Sequence, residues 1–424
     1  MRTIIHLDLD AFFCAVEEQR DPALRGKAFA VGGRAEGRGV VSSCSYAARQ
    51  FGVRSAMPMA RAVALCSGLI VVPPNFDAYR EASAKVMARL HAFTPLVEQI
   101  SIDEAFLDVS ALGDSGETLA RRLQTQIATE LDLACSLGVA SNKLVAKIAT
   151  DFGKSAVHEQ AKSEERKAKS EQHLTHSAFS VQRSAFPFTS PAAICIVAPG
   201  EEAAFLAPLP AGAMWGVGLK TAERLAALGL RTIGDIAAWP EFELTRFFGK
   251  HGSDLWRHAN GFDERPIVTE HEAKSISQET TFERDVRDAG LLQQTLREQA
   301  EAIARKLRRK HLSGTTVKLK IRWPDFTTPT RQLTLAAPTD QAEEIYTAAV
   351  RLFEQTWDDQ PVRLIGVGVS GLGTQPRQLS LWDAPSINSE QQRRIKTALD
   401  TVRARLGTNA VRRASELDQA RSEE

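Results

Sequence analysis

The chain has 424 residues and a formal net charge of +1, and 43% of its residues are hydrophobic and 25% charged, which is ordinary for a globular protein. The length predicts about two to four domains. No run of about 18 apolar residues occurs, so we expect no membrane span. Five cysteines without a C-x-x-C pair argue against a disulfide framework or a zinc cluster and favour a reducing cytoplasm.

The first 110 residues alternate short strands with helices. The segment TIIHLDLD (3–10) predicts a strand interrupted by acids rather than a cleavable signal segment. AFFCAVEEQ (11–19) predicts a helix with Asp10 as its N-cap. After short strands around a Gly-rich loop, an amphipathic helix is predicted over 76–93. This order is typical of a mixed α/β layer structure.

The segment SIDEAFLDVS, residues 101–110, is a strand-like run with two adjacent acids. Because neighbouring side chains of a strand point to opposite faces, at least one of Asp103 and Glu104 would face a buried surface, where an unpaired carboxylate is costly. Asp8 on the first strand could join them at a strand end, where two Mg²⁺ ions would neutralise all three acids. The alternative is that Asp103 merely ends a turn and Asp8 caps a neighbouring group.

Three later regions differ in character. Residues 156–190 are polar, Ser-rich and of mixed charge, which predicts an exposed, disordered loop. The pattern is all-helical over 201–262, and strands return around two helices over 272–373. From Lys274 to Arg322 there are 12 Lys and Arg against 6 Asp and Glu. This excess could follow a phosphate backbone, although a solvated helix face is the simpler alternative.

Two motifs could contact phosphates. SYAARQFG places Tyr46 and Arg49 on one helix face, where a hydroxyl and a guanidinium would suit a triphosphate that Lys154 could also reach. MWGVGLKTAERLAALGLRTIGDIAAW predicts a helix–hairpin–helix that opens on a Gly-x-Gly turn. Gly216 and Gly218 in this turn would allow the close approach of a nucleic-acid backbone. Taken singly, each of these residues is more commonly a surface residue.

As an ordered set, the motifs resemble those of the Y-family DNA polymerases, in particular the bacterial DNA polymerase IV type of translesion polymerase. The similar segments are HLDLDAFFCAVEE, GVVSSCSYAARQFGVRSAMP, SIDEAFLDVS, SLGVASNKLVAKIATDFGK, MWGVG and SISQETTFERDV. They cover most of residues 1–373 outside the polar insertion.

The resemblance implies a multidomain α/β (α+β) fold in the form of a right hand. Its parts would be a palm, small fingers, a helical thumb with the helix–hairpin–helix, and a C-terminal α+β little finger domain. The implied bounds are 1–10 and 76–200 for the palm, 11–75 for the fingers, 201–262 for the thumb, 263–272 for a linker, 273–373 for the little finger and 374–424 for a tail.

The resemblance also implies a DNA-directed DNA polymerase, in which the primer 3′-hydroxyl attacks the α-phosphate of a dNTP and releases pyrophosphate. The implied catalytic ligands of two Mg²⁺ ions are Asp8, Asp103 and Glu104, with the Leu9 carbonyl. The implied triphosphate ligands are Tyr46, Arg49 and Lys154. Phe13 would be the steric gate that rejects a 2′-hydroxyl, whereas composition alone makes both Phe12 and Phe13 core residues.

Further partners follow from the same resemblance. The implied thumb contacts to primer–template DNA are Gly216, Gly218 and Lys220. The tail segment QLSLWD (378–383) is similar to a peptide that binds the bacterial sliding clamp, or else it is a terminal strand of its own domain. The implied clamp anchors are Gln378, Leu379, Leu381 and Trp382. We expect a cytoplasmic monomer that copies damaged templates at low fidelity without proofreading.

Two positions depart from the family pattern. Lys154 is followed by Ser155 and the polar insertion rather than by Pro, and Trp215 stands where Pro is common. Two alternatives remain: a non-catalytic polymerase-like scaffold that binds DNA and the clamp, and another palm-type enzyme such as a nucleotide cyclase. The three retained acids favour catalysis over the scaffold, and the helix–hairpin–helix favours a DNA partner over the cyclase.

Overall fold

A computed structural model of the chain describes residues 2–167, 179–183 and 190–374, together with residues 398 and 402. The chain divides into two compact units, Met1–His271 and Glu272–Glu424. Within the described ranges, none of the helices has the length and apolar character that a membrane span requires.

The first unit is built of strands and helices in mixed order. Its strands are β1 (Ile4–Leu9), β2 (Phe29–Gly32), β3 (Val41–Cys44), β4 (Ile70–Val72), β5 (Val97–Gln99), β6 (Glu104–Asp108), β7 (Cys135–Ala140), β8 (Phe179–Arg183) and β9 (Ala193–Val197). Its helices are α1 (Phe12–Arg20), α2 (Tyr46–Gln50), α3 (Met59–Leu65), α4 (Phe76–Phe93), α5 (Gly116–Leu131), α6 (Lys143–Lys167), α7 (Glu202–Leu206), α8 (Leu219–Ala227), α9 (Ile233–Ala238), α10 (Glu241–Phe248) and α11 (Lys250–Ala259).

The main sheet of this unit has six strands in the order β5-β6-β1-β7-β9-β8. β1 lies at its centre and pairs antiparallel with both β6 and β7. Because strand side chains alternate between faces, Ile5 and Leu7 enter the core under α4 and α5, whereas Ile4 enters the core that includes α6. The strand is therefore buried on both faces, and Asp8 belongs to the face of Ile4.

A smaller sheet, in the order β3-β2-β4, carries α2 and α3. The regular elements from 202 to 259 are all helices, as the sequence pattern predicts, and α9 begins with a capping box between Thr232 and Asp235. This helical segment packs on the core that includes α6, so it belongs to the first unit.

The loop predicted over 156–190 is wrong for two stretches of it. α6 continues to Lys167 because residues 154–167 lack Gly and Pro and consist largely of strong helix formers. Residues 179–183 form β8, which pairs antiparallel with β9 through the backbone. Polar composition alone did not distinguish these elements from a loop, since neither a helix nor an edge strand needs a continuous apolar pattern.

The second unit comprises β10 (Ser275–Val286), α12 (Ala289–Arg309), β11 (Ser313–Arg322), β12 (Thr330–Thr339), α13 (Ala342–Glu354) and β13 (Val362–Gly373). Its antiparallel sheet has the order β10-β13-β11-β12, and one face packs on both helices. The alternate positions belong to the opposite face, where Lys318 and Lys320 stand beside Gly368 and Gly366 of β13. This face is thus basic and low in relief.

Glu98 fastens the end of the first unit to its main sheet. The residue is 7% exposed, and its carboxylate accepts hydrogen bonds from Lys143 Nζ at 2.8 and 3.1 Å. The backbone N–H of Val268, in the predicted linker, donates to the same carboxylate at 2.8 Å. Among the described residues, Glu98 is therefore the carboxylate that forms the ion pair with the buried Lys143.

We expect Glu98→Ala to lower the free energy of unfolding by about 3–5 kcal/mol, because it leaves a buried ammonium group without its counter-charge. Chemical denaturation of the full chain measures this loss. Glu130→Ala removes the exposed ion pair with Arg89 and should cost less than about 1 kcal/mol. Equal stability of the Glu98 variant and the wild type would contradict the role of Glu98 as the counter-charge of Lys143.

Candidate active site

A cleft of about 510 Å³ opens in the first unit at the carboxyl end of β1. Its wall takes residues from β1, α1, β3, α2 and α6. The lining residues are Asp8, Leu9, Ala11, Phe12, Phe13, Ser42, Ser43, Tyr46, Arg49, Arg54, Ser55, Ile102, Asp103, Lys154, Ser155 and Pro191. Of the residues predicted to bind metal or nucleotide, all except Glu104 thus line this cleft.

The three acids predicted to act together meet at one end of two paired strands. Asp8 lies directly opposite Glu104 in the register of β1 and β6. The N–H of Leu9 donates to the carbonyl of Asp103 at 3.0 Å, which fixes the turn before β6 against β1. Residues almost a hundred positions apart are therefore brought together by strand pairing alone.

Asp103 and Glu104 are adjacent, yet both can lie near Asp8 because only Glu104 belongs to the strand. β6 begins only at Glu104, so Asp103 lies in the preceding turn and escapes the alternation of strand faces. Ser101 Oγ donates to Asp103 Oδ1 at 2.5 Å and accepts from the N–H groups of Asp103 and Glu104 at 3.2 and 3.0 Å. Ser101 thus shapes the turn that presents both carboxylates.

The electrostatics of these acids suit a divalent cation. Burial raises the pKa of Asp103, and the Asp8 carboxylate adds to the rise while the Ser101 hydrogen bond opposes it. Burial also raises the pKa of Glu104, where the charge of Lys147 opposes the rise and the Asp8 carboxylate adds to it. Half-buried carboxylates that repel one another are the hard oxygen ligands that Mg²⁺ accepts.

Lys154 contacts the acids themselves. Its ammonium group lies 2.6 Å from Asp8 Oδ1 and 3.1 Å from Asp10 Oδ1. Burial lowers the pKa of Lys154, but the Asp10 and Asp8 carboxylates outweigh this and raise it overall. Over the described part of the chain, no group of three or more His, Cys, Asp or Glu forms a ready metal cluster. The structure therefore shows Lys154 paired with Asp8 and Asp10, while the Glu104 carboxylate pairs with Lys147 at 3.1 Å.

Asp10 is a site residue whose role the sequence analysis missed. The expected N-cap of α1 was wrong, because Ala11 occupies that position with φ 46° and no side chain caps the helix. The Asp10 carboxylate is instead buried, accepts from Ser136 Oγ at 3.0 Å and from the N–H of Ala192 at 2.9 Å, and pairs with Lys154. The spacing Asp-Leu-Asp, which puts two acids on one strand face, was the signal.

Tyr46 and Arg49 line the cleft together, as their spacing predicts. The Arg49 guanidinium lies 4.9 Å from the centre of the Tyr46 ring, and its Nε donates to the Cys44 carbonyl at 3.2 Å. Burial raises the pKa of Tyr46, with a smaller contribution from Asp10, so the hydroxyl keeps its proton and can donate. Arg54, which the sequence analysis did not single out, adds a second guanidinium to this wall.

The two phenylalanines of α1 differ in burial. Phe12 is 2% exposed and belongs to the core, although it touches the cleft wall. Phe13 is half-buried and stacks on Tyr79 of α4, with ring centres 4.2 Å apart and planes at 11°. The Phe13 ring therefore has a firm support on one side and the cleft nearby.

The Gly-x-Gly turn before α8 is open to the surroundings. Gly216 has φ 95°, which favours glycine, and a Cβ built at Gly216 or Gly218 meets no described atom within 4 Å. Lys220 is exposed at the start of α8. Trp215, the departure from the family pattern, packs on Phe106 of β6 with ring centres 5.6 Å apart and so ties this turn to the main sheet.

The predicted clamp anchors Gln378, Leu379, Leu381 and Trp382 lie outside the described residues, as does most of the predicted tail.

Two family models match the sequence. The model of the impB/mucB/samB family matches residues 7–151, and the model of that family's C-terminal domain matches residues 273–381. The first match contains all three acids, Tyr46 and Arg49, and the second begins at the start of the second unit.

Curated relatives and solved structures agree with these matches. DNA polymerase IV of Desulfatibacillum aliphaticivorans is 38% identical over 97% of this chain and 96% of its own length. DNA polymerase IV of Alkalilimnicola ehrlichii is 38% identical over 90% and 99%. A chimera of the Y-family DNA polymerases Dbh and Dpo4 superposes with a TM-score of 0.71 at 23% identity, over 88% of this chain and all of that chain. An insertion ternary complex of Dbh DNA polymerase gives 0.59 at 24% identity over the same shares. The fold is therefore that of these structures.

Proposed function

Since the chain belongs to the Y-family DNA polymerases, as a member of the impB/mucB/samB family and a DNA-directed DNA polymerase of the DNA polymerase IV type, we propose that it copies damaged templates by a two-metal reaction at the cleft. The observation that carries the proposal is the meeting of Asp8, Asp103 and Glu104 at the end of the β1–β6 pair. In a non-catalytic scaffold, nothing would require these acids to be gathered there.

In the proposed reaction, the chain's own groups bind and orient the substrates. Asp8, Asp103 and Glu104, with the Leu9 carbonyl, would hold two Mg²⁺ ions, which when bound activate the attacking oxygen and stabilise the leaving one. Tyr46 and Arg49 would donate to the triphosphate from the wall of α2. These donors would fix the position of the triphosphate, and the rate acceleration would then come from positioning and from stabilisation of charge.

Lys154 would serve the same triphosphate. Its ammonium group already lies between Asp8 and Asp10, and it would exchange Asp8 for a phosphate oxygen when the nucleotide binds. Asp10 would keep hold of the lysine during this exchange, because Asp10 is buried and cannot leave. Lys154 lines the cleft although the insertion begins just after Ser155, and α6 continues past the lysine to Lys167.

The proposed domain roles follow the sequence bounds. The main sheet would be the palm, the small sheet the fingers, and the helices over 202–259 the thumb. In the thumb, Gly216, Gly218 and Lys220 would contact the phosphates of primer–template DNA, and in the second unit the basic sheet face with Lys318 would do so. Segment 378–383 would bind the sliding clamp, and the protein would work as a cytoplasmic monomer.

Primer extension with the purified full chain tests this function. We expect single dNTP additions that require Mg²⁺ on undamaged templates and continued addition opposite a template lesion. We also expect no shortening of a mismatched primer, because the sequence offers no second set of acids of the kind that an exonuclease site needs. The alternative, a non-catalytic polymerase-like scaffold, would bind the primer–template without extending it. Shortening of the mismatched primer would contradict the proposed lack of proofreading.

A further inference from the structure

We propose that Glu17 is a positioning residue for nucleotide discrimination: through a hydrogen bond it fixes Tyr79, the ring on which Phe13 stacks. The inference rests on the proposed role of Phe13 as the gate against a 2′-hydroxyl. It adds a residue that does not touch the nucleotide and acts only through Tyr79.

The contacts form a chain from α1 to α4 and back. Phe13 and Glu17 are four residues apart on α1, so they share one face of the helix. Tyr79 is fully buried between them, with its ring stacked on Phe13 and its hydroxyl donating to Glu17 Oε1 at 2.6 Å. One side chain of α1 therefore sets the orientation of the ring that supports another.

Glu17 is itself buried and held. The residue is 4% exposed, and its second oxygen accepts from Arg20 Nη1 at 2.7 Å. A buried carboxylate is costly unless its oxygens are satisfied, so an apolar residue would serve better here if only packing mattered. Burial and the hydrogen bond to Glu17 raise the pKa of Tyr79, so its hydroxyl keeps its proton and remains the donor.

Stacking alone does not fix the Phe13 ring, because parallel rings slide across one another at little cost. The Phe76 ring is nearly perpendicular to both rings, with its centre 6.1 Å from that of Phe13 and 5.9 Å from that of Tyr79, but Phe76 is 49% exposed and offers a weaker support. The hydrogen bond to a charged acceptor is directional and removes this freedom for Tyr79. A gate that must exclude one oxygen atom needs such a fixed backing.

The test compares kcat/KM for a dNTP and the matching rNTP on one primer–template. We expect Glu17→Leu and Tyr79→Phe each to lower the preference for the dNTP by about tenfold, the equivalent of one hydrogen bond. Glu17→Gln retains a carbonyl acceptor and should restore most of the preference. Because both changes remove the same bond, the double variant should lose no more than the larger single loss.

Controls separate this inference from the gate itself. Glu18→Leu, on the same helix but away from Tyr79, should leave the preference unchanged. If Phe13→Ala changes the preference and neither Glu17→Leu nor Tyr79→Phe does, the positioning role is overturned and the gate stands; if Phe13→Ala also has no effect, the gate fails first. A loss of dNTP and rNTP incorporation in equal proportion would likewise overturn the inference, because it indicates support of the fold alone. Should Glu17→Leu not fold, Tyr79→Phe, which keeps the ring, decides.

Discussion

Replacing Asp103 with Ala is expected to lower the rate of nucleotide addition by at least ~10³-fold. The carboxylate is held in the turn before β6 by Ser101 and lines the cleft beside Asp8. Its loss removes a proposed cation ligand at the reacting end of the cleft. Single-nucleotide extension, measured as a time course at several Mg²⁺ concentrations, gives the effect.

The matched control is Asp108→Ala, at the far end of β6, the strand that follows Asp103. Asp108 pairs with Arg2 at 3.7 Å and is absent from the cleft lining, so its removal should leave the rate of addition near that of the wild type. Binding of primer–template DNA should be similar for both variants, which separates lost chemistry from lost folding. Equal extension by wild type and Asp103→Ala would refute the two-metal mechanism.

Phe13→Ala is expected to raise the kcat/KM for ribonucleotides relative to deoxyribonucleotides by about 10²-fold or more. The half-buried ring leans on Tyr79 and borders the cleft, so truncation removes the bulk that a 2′-hydroxyl would strike. Extension assays with matched dNTP and rNTP pairs, on the same primer–template, measure this preference directly.

Phe12→Ala serves as the control for the adjacent ring. Because Phe12 is a core residue, its truncation should cost about 3–5 kcal/mol of stability, with a small effect on sugar preference. The opposite outcome, in which Phe12→Ala admits ribonucleotides and Phe13→Ala does not, would move the gate by one position along α1.

The sequence was sufficient for the parts of the site that follow from local periodicity. The pairing of Tyr46 with Arg49 is a matter of helical spacing, and the structure places both on the cleft wall. The meeting of Asp8 with Asp103 and Glu104 needed more, since residue types alone left open whether these acids cap turns. It became a definite expectation only through the ordered motifs, and the register of β1 with β6 shows its physical basis.

Other features were beyond sequence reasoning because their partners are distant. Asp10 read as a helix cap, since its position before an apolar helix is typical of one, but Ser136 and Ala192 compete for the carboxylate from far along the chain. Glu17 and Tyr79 read as ordinary members of amphipathic helices. Their hydrogen bond joins residues 62 positions apart, and no local pattern indicates it.

The polar insertion shows a different limit. Its composition predicted an exposed loop, but exposure and irregularity are separate properties. A helix that already has a nucleus in the apolar half of α6 extends at little cost through good helix formers. Composition therefore did not decide where the helix ends.

Asp10 links the folding of the main sheet to the position of a charged group in the cleft. Its carboxylate is tied to a side chain of β7, to the main chain entering β9 and to the ammonium of α6. If either of these strand ends loosened, Asp10 would move and Lys154 would lose this ion pair. Partial unfolding at this corner would therefore displace a proposed triphosphate ligand while the remainder of the molecule is still folded.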